Sequence, residues 1–263
     1  MGQNKSDKQT LASSRPLKGG KVSEKLDMNA TGYKTNCLVC GSDLVYSTNS
    51  DKSECYYCKK VYESNVKCAQ GHFICDSCHS LPASKLIKQF CINSQSGDPM
   101  EMALILMRNP QVRMHGPEHH FLVPAVLLSA YYNRKKDEEK KAEKIEEAGK
   151  RAKNILGGFC GYYGDCGAAV GTGIFISLIT GATPLSENEW KLSNMITAKS
   201  LFSIANVGGP RCCKRTAFLS IIQAIDFLSE NFSIENMNKN VKCEFNSLNK
   251  ECIRDNCPFY DRR

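Results

Sequence analysis

The sequence predicts a mostly α protein: a helical C-terminal domain preceded by a small zinc-ribbon-like β module. Three observations carry this. Eight cysteine and histidine residues fall in four close pairs between positions 37 and 78, apolar residues then recur at helical spacing as far as position 230, and glycine or proline marks each break between the helical stretches. The expected organisation is a disordered basic tail over residues 1–30, a zinc-binding Cys/His module over 33–80, a helical domain with a Cys/His site over 81–235 and a cysteine-rich C-terminal tail over 236–263.

The chain has 263 residues, 15 cysteines and a formal net charge of +8. Length of this order suffices for one sizeable core and a small module. The CxxC pairs, the histidines between them and the lack of a secretory apolar segment argue against a disulfide framework, so a reducing cytoplasm is the expected location. Positive charge suits nucleic acid or another anionic partner, although part of it sits in the first 25 residues, which carry only two acids and read as solvated tail. The longest uncharged run, 166–185, is broken by glycines and Pro184 and reads as a buried helix, so no membrane span is expected.

The module contains Cys37xxCys40, Cys55xxCys58, and Cys68xxxHis72xxCys75xxCys78. Zinc takes tetrahedral sulfur and imidazole ligands, and a CxxC turn brings two thiolates to one ion. Two closed sites account for all eight residues. Sequential sites (Cys37, Cys40, Cys55, Cys58, then Cys68, His72, Cys75, Cys78) and an interleaved cross-brace use the same residues. The strand-like segments 45–46 and 60–62 favour the sequential ribbon. Iron is a second candidate for a four-thiolate site, and His79 is a spare ligand or a surface residue.

A helix is expected over 82–93, with Leu86, Ile87 and Phe90 on one face and Cys91 beside them. Asp98-Pro99 reads as an N-cap followed by proline at the first helical position. The string 114–120, MHGPEHH, holds three of the five histidines and opens a helix over 118–132. His115 before the turn and His119 in the first helical turn are expected to converge on one ion or proton-transfer site. Residues 134–153, almost wholly Lys, Arg, Glu and Ala, read as a solvated connecting helix.

The stretch 154–215 carries the chemistry. Five glycines from Gly157 to Gly167 surround Cys160 and Cys166, and Cys166 opens a helix over 167–180, whose positive dipole end is expected to favour its thiolate. Ser186 and Glu189 read as a capping box for the next helix. After Gly208-Gly209-Pro210, a helix over 211–230 begins with Arg211, Cys212, Cys213, Lys214 and Arg215. Its free amides and three cations read as an anion-binding end that also acidifies both thiols. Cys243, Cys252 and Cys257-Pro258 supply three thiolates which, with one borrowed ligand, would complete a zinc or iron-sulfur site.

The strings GHFICDSCH (71–79), MHGPEHH (114–120), GFCGYYGDCGAAVGTGI (158–174) and GGPRCCKR (208–215), with the cysteine tail, resemble an uncharacterised prokaryotic family of domains of unknown function. That family occurs alone or attached to methyltransferase-like or radical-SAM-type partners, and the resemblance covers roughly residues 60–260. The CGAxxGxG helix with its later cysteines is also similar to the redox-active proteins named for a Cys, GCAxxG, Cys, Cys pattern. That similarity implies Cys166, Cys212 and Cys213, with Cys160, as redox or cluster ligands, although this chain has CGA where the pattern has GCA.

The functional expectation is a Cys/His-rich metalloprotein with a redox or sulfur-transfer role. It holds zinc, and the helical domain holds a further metal or iron-sulfur cluster. Cys166, Cys212, Cys213 and His115 are the expected catalytic residues, with His119 and Cys160 as metal ligands and Arg211, Lys214 and Arg215 facing an anionic substrate or partner protein. Two alternatives stand beside it: a zinc-stabilised, non-catalytic binding module for RNA or protein, and an accessory subunit of a SAM-dependent enzyme. The chain lacks the glycine-rich loop and the CxxxCxxC motif of such an enzyme itself.

Overall fold

A computed structural model describes residues 37–75, 78 and 81–262, and these belong to one compact unit. The basic segment 1–30 and His79 lie outside the described residues.

The N-terminal module is one antiparallel hairpin, β1 (Leu44–Glu54) and β2 (Val61–Cys68), paired from Leu44 opposite Cys68 to Glu54 opposite Val61, with a break in register between Tyr46 and Asp51. Most of β1 is exposed. A two-stranded hairpin this wet has too little apolar face to stand alone. Its buried anchors are the cysteines and Tyr57, whose ring meets Phe90 edge-on at 5.3 Å.

Eight helices follow among the described residues. Helix α1 (Ala83–Asn93) buries Leu86, Ile87, Phe90 and Cys91. Helix α2 (Pro99–Arg108) starts where Asp98 Oδ1 accepts from the Met100 and Glu101 amides at 2.8 and 3.0 Å, with proline following the cap. Helix α3 (Glu118–Lys135) is the hub. It touches α1, α2, α4, α6 and α8 and is buried on nearly every side from Phe121 to Ala130, as an apolar-all-round sequence requires.

The charged run does not form one uninterrupted helix. Lys136 takes a left-handed conformation (φ 56°) that ends α3, and Asp137 caps α4 (Glu138–Ala152) by accepting from the Lys140 amide. Nor is the run wholly solvated. Lys141 is fully buried, and its Nζ reaches Ser94 O at 3.1 Å, Asn133 Oδ1 at 2.8 Å and Glu138 at 2.5 Å.

A single turn, α5 (Phe159–Tyr162), precedes α6 (Gly167–Thr180), α7 (Asn188–Val207) and α8 (Cys213–Phe232). The expected Ser186–Glu189 capping box is absent: Ser186 Oγ instead accepts from the Thr183 amide at 3.0 Å, and α7 starts two residues later. Two glycines set how close α6 comes to its neighbours. A Cβ on Gly167 would lie 2.3 Å from the His120 ring, and one on Gly173 would lie 2.2 Å from Thr197 Oγ1. The C-terminal segment lays Met237, Phe245 and Phe259 against the helices and has only two 3-10 turns, Asn246–Leu248 and Arg254–Asn256. Arg108 ties three parts together. It donates to Val39 O in the module and grips Glu244 of the tail with Nε and Nη2 at 2.8 and 2.6 Å.

Candidate functional site

The eight module ligands form two groups, each with its ligand atoms within 4.8 Å of one another: Cys37, Cys40, Cys68 and His72, and Cys55, Cys58, Cys75 and Cys78. The favoured sequential pairing is therefore corrected to an interleaved one. The hairpin explains why. Pairing Leu44 with Cys68 brings the end of β2 beside the first knuckle, while the second knuckle, in the turn between the strands, faces the segment after β2.

Cys40 Sγ lies 3.7 Å from Cys68 Sγ, Cys68 Sγ 3.3 Å from His72 Nδ1, and Cys58 Sγ 4.0 Å from Cys75 Sγ. Tetrahedral coordination at a metal–sulfur distance of about 2.3 Å separates ligand sulfurs by about 3.8 Å. Backbone amides also point at the sulfurs: Val39 N–H to Cys37, His72 N–H to Cys68 and Cys75 N–H to Cys55, at 3.3–3.4 Å. From helix α1, Gln89 Nε2 donates to Cys78 Sγ at 3.2 Å. Burial pushes Cys40 upward, but hydrogen bonds from Ser42, His72 and Cys37 outweigh it and bring the thiol down to about 6, while burial holds Cys37 up at about 11. Both groups can bind a metal ion.

The second assembly is a cleft of about 720 Å³ built where α6 and α8 begin and walled by α7. It gathers His119, Cys160, Cys166, Cys212, Cys213, Arg211 and Arg215, all singled out by sequence. Cys160 is exposed, Cys213 half-buried, and Cys166 and Cys212 buried. His119 is 1% exposed. Its Nδ1 lies 3.1 Å from Gly116 O, so the proton sits on Nδ1, and Nε2 is buried with no hydrogen-bond partner. Burial, reinforced by the Lys214 charge, pulls this imidazole down to about 3, which keeps it neutral.

Three expectations are corrected here. The thiols at the helix starts are not acidified. Burial raises Cys166 and Cys212 and brings Cys213 to about 11, outweighing the amides and, at Cys212, the Arg215 charge that oppose it. A helix N-terminus contributes of order 1 kcal/mol, less than the cost of desolvating a thiolate. His115 does not converge with His119, since its Nε2 faces the tail, 3.2 Å from Asn249 Oδ1 and 3.4 Å from Glu251.

Of the three cations, two turn inward. Lys214 Nζ donates to Met107 O and Val112 O at 3.1 and 3.0 Å beneath the Phe245 ring, and burial lowers it to about 8. Arg215 holds the preceding loop by donating to Gly208 O and Pro210 O, both at 2.7 Å. Helix α8 starts at Cys213, so Arg211 precedes it and is exposed at the cleft.

Two cleft residues were missed in the sequence. His120 stacks its ring against Gly167 with Nδ1 3.2 Å from Ile155 O, and Thr216 lines the cleft with its hydroxyl donated to Cys213 O at 3.2 Å. Thr216 was findable, lying one helical turn beyond Cys213.

No helix among the described residues is long and apolar enough to cross a membrane. A family profile with the description "Family of unknown function (DUF5714)" matches residues 87–260. No curated protein and no solved structure matches the chain.

Proposed function

The chain belongs to the DUF5714 family of unknown function, and we propose that it is a metalloprotein with two structural zinc ions in the N-terminal module and a redox or sulfur-transfer centre in the cleft. His119 Nε2, Cys166 and Cys213 hold a metal there, with Cys160 on the solvent side. Arg211 draws in an anionic substrate or the acidic surface of a partner protein. The carrying observation is His119: a sealed, neutral imidazole whose Nδ1–H is fixed by a backbone carbonyl and whose Nε2 has no partner, in the wall of a cleft that also holds four thiols. That is how a metal-binding histidine is oriented by its surroundings. Thiolate and imidazole ligands suit zinc and iron, and thiolates also act as nucleophiles, which supports a redox or sulfur-transfer role. The similarity to the Cys, GCAxxG, Cys, Cys proteins points the same way.

The test is metal content and absorption of anaerobically purified full-length protein beside His119→Ala and Cys166→Ser. Loss of one metal centre in both variants, with the module metals retained, is the expected result. Unchanged metal content and spectrum in both variants refutes the centre. A second reading, a binding module for a protein partner, is favoured by the exposed apolar residues Leu156, Tyr162, Tyr163 and Phe202 on the loop that carries Cys160 and on the facing helix α7. Partner binding indifferent to both substitutions would select it.

A further inference from the structure

The C-terminal segment, described over residues 236–262, has almost no regular structure. Met237, Phe245, Asn249 and Phe259 are its buried residues among those described, a thin core for so long a segment. The three cysteines it carries face the same enclosed cavity of about 20 Å³, and a fourth comes from outside: Cys212, the residue that caps helix α8. Apolar side chains close the walls, chiefly Met114, Phe218, Phe245 and Phe259. All four cysteines are free thiols.

We propose that Cys212, Cys243, Cys252 and Cys257 form a further metal site, a four-thiolate centre for a soft metal that fastens the C-terminal segment to the start of helix α8. Three of the sulfurs already accept backbone amides: Cys243 from Phe245 N–H at 3.4 Å, Cys252 from Arg254 N–H at 3.4 Å and Cys212 from Arg215 N–H at 3.5 Å. The first two repeat the two-residue offset of Val39 N–H to Cys37 in the module. Such amides stabilise the negative charge that a thiolate brings to a metal. The Arg215 guanidinium, at the cavity wall, adds a cation beside them.

Four thiolates select zinc, iron or an iron-sulfur cluster over hard cations. The tetrad is more open than the module sites, whose ligand atoms all lie within 4.8 Å of one another. A cavity of about 20 Å³ holds about one water-sized group, which fits a single ion better than a cluster of several metal atoms. The adjacent residues Cys212 and Cys213 would then ligate two different centres.

The site is independent of the cleft proposal and is tested separately from it. Zinc, iron and acid-labile sulfide are measured in anaerobically purified full-length protein and in Cys243→Ser/Cys257→Ser and His119→Ala. Iron with sulfide lost only from the double variant establishes a cluster, and a zinc equivalent lost only from it establishes a single-ion site. Equal metal content in wild type and double variant overturns the proposal. If the double variant fails to fold, alkylation of the wild type decides. Cys243, Cys252 and Cys257 are expected to react at least tenfold faster after chelation, whereas equal rates with and without chelator overturn the site.

Discussion

The N-terminal hairpin and the helical domain use cysteine in opposite ways. In the hairpin, thiols face one another in groups and take the place of a core, so that nearly every buried residue there is a ligand or its neighbour. In the helical domain the apolar helices make the core, and a thiol such as Cys91 is one more small apolar group, fully buried in α1. The same residue type is structural cement in one region and filler in the other. What decides between them is whether the surrounding chain can bury enough apolar surface without it.

Removing metal tests the contrast most strongly. Coupling between metal binding and folding at such sites is on the order of 10 kcal/mol. Chelation is therefore expected to abolish hydrogen-exchange protection across β1 and β2 while most of the helical circular dichroism remains. Equal loss in both regions would break the distinction.

Lys141 sharpens the other side of it. The helical domain tolerates a fully buried cation because three oxygens receive it. Lys141→Met keeps the apolar stem and strips those bonds, leaving Asn133 Oδ1 without its donor and Ser94 O with only Asn133 Nδ2. A loss of roughly 3 kcal/mol is expected in denaturant unfolding, with the metal content of the module unchanged.

The smallest effect concerns Cys91. Burial holds its thiol far above the ordinary range, with Lys141 pulling slightly the other way. The folded state thus keeps a proton that the unfolded chain releases near pH 8.5. This stabilisation is complete below that pH and is lost as pH rises above it, by about 2 kcal/mol at pH 10. Cys91→Ala is expected to remove that alkaline loss, so the stability gap between wild type and variant narrows by about that amount from pH 7 to pH 10. A constant gap would mean that Cys91 ionises as easily folded as unfolded.

Much of this was legible in the sequence where local chemistry decides. Asp98-Pro99 marked the start of α2, and the glycine-rich face of 167–180 marked α6 at both ends. The eight module ligands were legible by type and spacing. Their grouping was not, because both arrangements use the same CxxC turns and only the long-range pairing of β1 with β2 separates them. Burial was the other hidden quantity. Lys141 sits in a run that reads as solvated, Lys214 and Arg215 read as ligand-facing, and the thiols at the helix starts read as acidic. Each reading failed where tertiary packing removed water that the local sequence could not show to be absent.

The interleaved ligands also bear on the order in which the protein can be made. During synthesis Cys37, Cys40, Cys55 and Cys58 leave the ribosome before Cys68 does, and those four thiols, which the finished protein divides between two groups, are by themselves a complete ligand set for one ion. A metal captured at that stage has to exchange partners when the second strand arrives. Neither final site can close until a loop spanning the hairpin has closed, at an entropy cost that grows with its length. The module's assembly is therefore a ligand-exchange problem, with a rate governed by how quickly thiolates trade places on a bound ion.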